Sequence, residues 1–96
     1  MTYEVIVLKP AQKHYADLPA TVKQGIAQHL QALADDPRPP ASVALKGTLK
    51  GSRRIRVGEY RVGYQVDDEK RQVRVWQIGK RDKFYEQAER RQRHDG

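Results

Sequence analysis

The sequence predicts an α+β domain: a small, mostly antiparallel sheet, a helical hairpin packed on one of its faces and a short C-terminal helix. Three observations carry this. Apolar and polar residues alternate over 53–57, 60–66 and 72–80, with turn signals between the runs. Val22, Ile26, Leu30 and Leu33 recur at helical spacing. One further alternating run opens the chain. Ninety-six residues fit a single domain spanning 1–96.

"TYEVIVLK" reads as a first strand over 2–9. Tyr3, Val5 and Val7 share one face and Ile6 and Leu8 the other, so the strand is expected to be covered on both sides. Pro10 fits the first position of a helix over about 10–18, where a missing N–H costs nothing, and Pro19 stops it. The second helix is expected over 20–35, with Thr21 as N-cap and Gln24 completing a capping box. Gly25 is a small penalty inside it, and Pro37 ends it. "PRPPAS" is a loop. A short strand is expected at 43–46, followed by glycine turns.

In "RRIRV" Ile55 and Val57 point inward, Arg54 and Arg56 outward. Gly58-Glu59 suits a type II′ hairpin. In "YRVGYQV" Tyr60, Val62, Tyr64 and Val66 point inward, with Arg61, Gly63 and Gln65 outward. "QVRVWQIGK" sets Val73, Val75 and Gln77 against Arg74, Trp76 and Ile78. "RDKFYEQAERRQR" begins a charged terminal helix whose end frays.

The formal charge is +7. It concentrates in Lys46, Lys50, Arg53, Arg54, Arg56 and Arg61, against Glu59 alone. Such a stripe is the electrostatic footprint of a nucleic-acid binder or of an acidic protein partner, the plain alternative being a solvated face. There is no cysteine, which excludes disulfides and thiolate metal sites. His14, His29 and His94 are scattered and read as helix-surface residues. No apolar run reaches the length of a signal core or a membrane span, so the expectation is a cytoplasmic protein with no membrane partner.

Arg54, Arg56 and Arg61 share a sheet face by period two, and Gly63 leaves room beside them for a flat group. Three guanidinium groups make a good phosphate clamp, because the planar fork binds oxyanions bidentately. Arg81 and Tyr85 lie one helical turn apart. Four arginines and a phenol, without histidine or paired carboxylates, suit neither water activation nor metal catalysis. They suit phosphoryl transfer in which RNA supplies its own 2′-hydroxyl. An arginine strand facing solvent or an acidic partner remains the alternative on the residues alone. Trp76 and Phe84 are aromatic residues able to stack on bases, with core packing the preferred reading for Trp76. Tyr60 and Tyr64 read as core.

The stretch "RIRVGEYRVGYQV", followed after one turn and one strand by "IGKRDKFY", resembles the RelE/ParE superfamily of type II toxin–antitoxin toxins. The N-terminal strand, the helical hairpin ending "ALADDPRPP" and the following "LKG" fit as well. The resemblance covers about residues 2–90. "EYRVGY" marks the superfamily, while "GKRDKFY" resembles the RelE branch. That resemblance implies a RelE-like fold and a ribosome-dependent, metal-independent and cofactor-free endoribonuclease cutting mRNA in the A site. It implies a cognate antitoxin, ribosomal RNA and mRNA as partners, with operator DNA bound only as a toxin–antitoxin complex.

By the same resemblance Arg61 contacts the scissile phosphate, Arg81 stabilises the transition state and the leaving 5′-oxygen, and Tyr85 orients or deprotonates the 2′-hydroxyl. Arg54 and Arg56 stand where the best-known member has two lysines. Arginine hardly releases a proton, so their role is electrostatic and Tyr85 is the candidate base, its pKa lowered by neighbouring arginines. Lys46, Lys50 and Arg53 extend the RNA-binding surface. The other branch implies a non-enzymatic inhibitor of DNA gyrase. A third reading is a degenerate toxin acting only in an antitoxin-bound complex on DNA.

Overall fold

The computed structural model describes residues 2–80 and Phe84. The predicted terminal helix, Phe84 apart, lies outside the described residues. The elements are β1 (Glu4–Val7), α1 (Lys9–Ala16), α2 (Ala20–Asp35), β2 (Val43–Ala44), β3 (Arg53–Val57), β4 (Tyr60–Asp67) and β5 (Gln72–Lys80). A 3-10 turn, Gly47–Leu49, separates β2 from β3. The strands form one sheet in the order β1-β5-β4-β3-β2. β1 runs parallel to β5, and the other pairs are antiparallel. The sheet is therefore mixed, and mostly antiparallel as the alternation predicted. The parallel pair exists because the chain crosses over through both helices before returning beside β1.

Pro10 sits one place later than expected, at the second position of α1, still among the N–H groups that lack intrahelical partners. Thr21 is not the cap of α2. Pro19 is, and it carries no side-chain cap bond. Its carbonyl accepts the Lys23 N–H at 2.9 Å, which starts the helix two residues before a Thr21 cap would. The α2 stripe lies as predicted: Ile26, Leu30 and Leu33 are buried and Val22 packs beside them. They meet Ile55, Val62, Tyr64, Val73, Val75 and Ile78 in the main core.

Three expectations change. β1 is an edge strand, and among the described residues helices cover one side of it: Tyr3, Val5 and Val7 pack on the core, Ile6 is half-buried and Leu8 is exposed. β2 ends at Ala44, and Leu45 instead turns into a second cluster with Leu49 and Trp76. In β5, Gly63 pairs with Gln77 and Tyr64 with Val75, leaving Trp76 as an extra residue. This bulge reverses the alternation. Ile78 enters the core in place of Gln77, and Gln77 joins the row of Gly63.

The Gly58-Glu59 turn is as expected. Gly58 has φ +61° and Glu59 is not left-handed, the pattern of type II′. At the opposite end of the sheet the α2–β2 loop is tied down. The Tyr64 hydroxyl donates to the Pro37 carbonyl at 2.8 Å. Arg38 donates to both oxygens of Asp68, at 3.2 and 2.8 Å, and Tyr3 donates to the same carboxylate at 2.6 Å. These bonds hold Asp68 well below the usual carboxylate range, at about 2, with Arg38 the larger cause and Tyr3 next. No helix among the described residues is long and apolar enough to cross a membrane.

Candidate functional site

The candidate site lies on the sheet face away from the helices. Inward residues of β3 and β4 enter the core under α2, so period two sends Arg54, Arg56 and Arg61 outward. The register brings them together. Arg56 pairs directly with Arg61, and Arg61 with Gly79 on β5. Arg54 pairs with Gly63, and Gly63 with Gln77. Two adjacent cross-strand rows thus carry three guanidinium groups. Rows two residues apart are about 7 Å from one another. Arg56 is exposed, and Arg54 and Arg61 are half-buried.

Outside a two-residue hairpin the first pair, Val57 with Tyr60, is the hydrogen-bonded one. The next pair, Arg56 with Arg61, is then a non-hydrogen-bonded pair, in which Cα atoms approach to about 4.5 Å and side chains lie closest. Like charges placed so cost stability. An anion bound between them removes that cost.

The surface beside Gly63 is not the open hollow expected. Phe84 fills it. A Cβ built on Gly63 would stand 2.9 Å from Phe84 Cζ and 3.1 Å from Trp76 Cζ2. The Phe84 and Trp76 rings are 6.1 Å apart at 41°, and Phe84 is fully buried. Phe84 is therefore no free base-stacking platform. Trp76 packs on Leu45 and Leu49, in agreement with its reading as a packing residue. Tyr64 is fully buried and Tyr60 packs against the core, also as expected.

Arg53 departs from the rest. Its place before Arg54 turns it to the helix side, where it donates to the Ser42 hydroxyl from Nε at 3.0 Å and Nη2 at 2.8 Å. It does not join the outward rows. Lys46 and Lys50 are exposed on the turn before β3. Arg74, on the outward face next to Gln65, is neutralised by Asp67 at 2.9 Å. Asp67 has a lowered pKa, first through the Lys70 backbone N–H and then through the charge of Arg74. Arg54, Arg56 and Arg61 lie towards the other end of the same face. Arg81 and Tyr85 lie outside the described residues.

Sequence reasoning missed Ser42 and the Phe84 socket. Ser42 sits in a proline-rich loop with no periodic signal, and Phe84 meets Gly63 only through the fold.

Comparison with known proteins gives this geometry a family. The family model for the ParE toxin of type II toxin–antitoxin systems matches residues 5–85. Among solved structures, a doubly substituted E. coli RelE toxin in the free state is 30% identical with a TM-score of 0.77, over 95% of this chain and 98% of that one. The archaeal RelE–RelB complex from Pyrococcus horikoshii is 26% identical with a TM-score of 0.74, over 84% and 97% of the two chains. The RelBE2 toxin–antitoxin complex of Mycobacterium tuberculosis, 24% identical with a TM-score of 0.77 over 84% and 100%, shares the fold. No curated protein sequence matches the chain. With a mixed five-stranded sheet and two helices among the described residues, and a family match running from residue 5 to 85, the chain belongs to the RelE/ParE superfamily of type II toxin–antitoxin toxins.

Proposed function

We propose that the chain is a RelE-type endoribonuclease that cleaves mRNA in the ribosomal A site, without metal or cofactor. The observation that carries this reading is the pair of arginine rows: Arg56 opposite Arg61, with Arg54 diagonal to Arg61 on the same face. Diagonal neighbours stand about 7–8 Å apart, within reach of one phosphate for long side chains. Guanidinium forks aimed at one phosphate stabilise the charge that develops on its oxygens during transfer.

In the reaction proposed, the 2′-oxygen attacks the adjacent phosphorus and loses its proton to Tyr85. The bond to the 5′-oxygen breaks, and that oxygen is protonated as it leaves. The products are a 2′,3′-cyclic phosphate and a 5′-hydroxyl. Arg61 holds the scissile phosphate, with Arg54 and Arg56 adding positive field. Arg81 stabilises the leaving oxygen. The roles of Arg81 and Tyr85 rest on the sequence resemblance. Antitoxin partners appear in the solved RelE–RelB relatives, and a cognate antitoxin covering the basic face is part of the same proposal.

The test is primer extension on a defined message with purified protein, with and without programmed ribosomes. Cuts inside A-site codons that need ribosomes support the reading. A folded protein that makes none contradicts it. One observation favours a second reading: the matching family model is that of ParE toxins. On that reading the chain inhibits gyrase, and purified protein blocks supercoiling while leaving translation intact.

A further inference from the structure

A second cationic site lies across the sheet from the arginine rows. Arg53 pairs with Ala44 of β2, and together with Arg38, Gly51, Ser52 and Val66 they line a notch of about 150 Å³. Arg53 is held from behind by Ser42, a residue outside the notch lining. Ser42 is 7% exposed, and its hydroxyl donates to the Pro39 carbonyl at 2.8 Å. The same oxygen accepts Nε and Nη2 of Arg53. One donor and two acceptor positions are all that a serine hydroxyl has, so Ser42 is saturated. A neutral, buried anchor thus fixes the guanidinium plane without compensating its charge.

Arg53 has five N–H donors, and Ser42 takes two. Among the described residues no partner takes the others, and no carboxylate pairs with this arginine. The second cation of the notch, Arg38, is already bound to Asp68. Along the chain no Asp or Glu falls between Asp36 and Glu59, while Lys46 and Lys50 stand exposed on the turn leading to Gly51; Asp36 and Asp68 are engaged by Arg38.

We propose that this notch is an oxyanion site that takes a backbone phosphate of RNA, separate from the phosphate held by Arg61. A fixed guanidinium with free donors is matched bidentately by a phosphate. The volume is that of several waters, at about 30 Å³ each, and admits a phosphate group. Two features favour a nucleic-acid strand over an acidic peptide. β2 has only two residues, so this edge offers an extended peptide almost no ladder to join. Arg53 and Arg54 are consecutive and point to opposite faces, and only the two-residue edge strand β2 lies outside them, so a polyanion passing round the β2 edge meets a cation on each side. The proposal rests on the reading that this chain engages RNA, but not on its cleaving RNA.

The test has two parts. In the first, inorganic phosphate is titrated into ¹⁵N-labelled protein while the Arg53 Nε–H resonance is followed. The expected result is a saturable shift, with affinity several-fold weaker in Arg53→Lys, which keeps the charge and loses the fork, and in Ser42→Ala, which loses the anchor. In the second, binding of an RNA with a 2′-deoxy scissile nucleotide is measured across salt concentrations. Arg53→Gln is expected to reduce the slope of log K against log salt by about 0.7, the share of one single-strand phosphate. A still resonance and an unchanged slope overturn the proposal. A response to poly-glutamate but not to phosphate also overturns it, in favour of a protein carboxylate. RNA that binds with the expected slope change, yet is never cut on ribosomes, refutes the nuclease reading and leaves this site standing.

Discussion

Arg56 and Arg61 face each other directly across the β3–β4 ladder, two cations in a cross-strand pair. A structural role would put an opposite charge or an apolar side chain at one of these positions. Elsewhere on the sheet Arg74 has a carboxylate diagonally across the ladder, Asp67, at 2.9 Å. Arg56→Gln should therefore stabilise the free protein by about 0.2–1 kcal/mol, the usual size of a cross-strand charge effect. Thermal unfolding at low salt checks it, and the gain should shrink as salt screens the pair.

Gly63 is a socket. Gly63→Ala puts a methyl at 2.9 Å from Phe84 Cζ and should destabilise by about 1–3 kcal/mol through overpacking. The loss should shrink in a Phe84→Ala background, where that ring is gone. A denaturant double-mutant cycle reads the coupling directly.

Gly25 is the opposite case. A Cβ there would meet Val57 Cγ1 at 3.7 Å, an ordinary contact, and the residue lies inside α2. Gly25→Ala should stabilise by about 0.5–1 kcal/mol, from helix propensity and a less flexible unfolded chain. Chemical denaturation should show a higher midpoint with an unchanged slope.

Tyr64 is fully buried and donates to Pro37. Tyr64→Phe leaves that carbonyl without its partner and should cost about 1–3 kcal/mol. Protease cleavage in the α2–β2 loop should speed up with it.

Asp68 should titrate at about 2 in the folded protein, since Arg38 and Tyr3 both bind its ionised form. A carboxylate with a depressed folded pKa adds stability above its unfolded value near 4, and that share is lost as pH falls towards 2. Tyr3 has the reverse sign. Its pKa is raised, chiefly by the bond to Asp68, so its share is present below 10 and lost at higher pH. Carboxyl ¹³C titration of the wild type and of Arg38→Ala checks the first point, with the midpoint rising towards 4 in the variant.

The strands were legible because alternation over β3 and β4 records which face is buried, and Ile55, Val62 and Tyr64 all lie where it placed them. Gln77 and Ile78 exchanged faces because the bulge at Trp76 is set by pairing with β4, which no local pattern encodes. The arginine rows were legible for the same reason as the strands. Arg53 left them because alternation sends it the other way, to a serine eleven residues back in the chain. The filling of the Gly63 hollow by Phe84 was hidden, since it joins β4 to a residue beyond β5. Arg81 and Tyr85 keep their sequence-based roles as proposals.

The most direct test of the account is the single-turnover rate of A-site cleavage by Arg61→Ala on programmed ribosomes, with its folded state verified by its unfolding transition. A preorganised group on the scissile phosphate predicts a loss of about 10²–10³-fold in a folded protein. A folded Arg61→Ala protein that cuts at the wild-type rate would contradict the assignment of the arginine rows as the catalytic face.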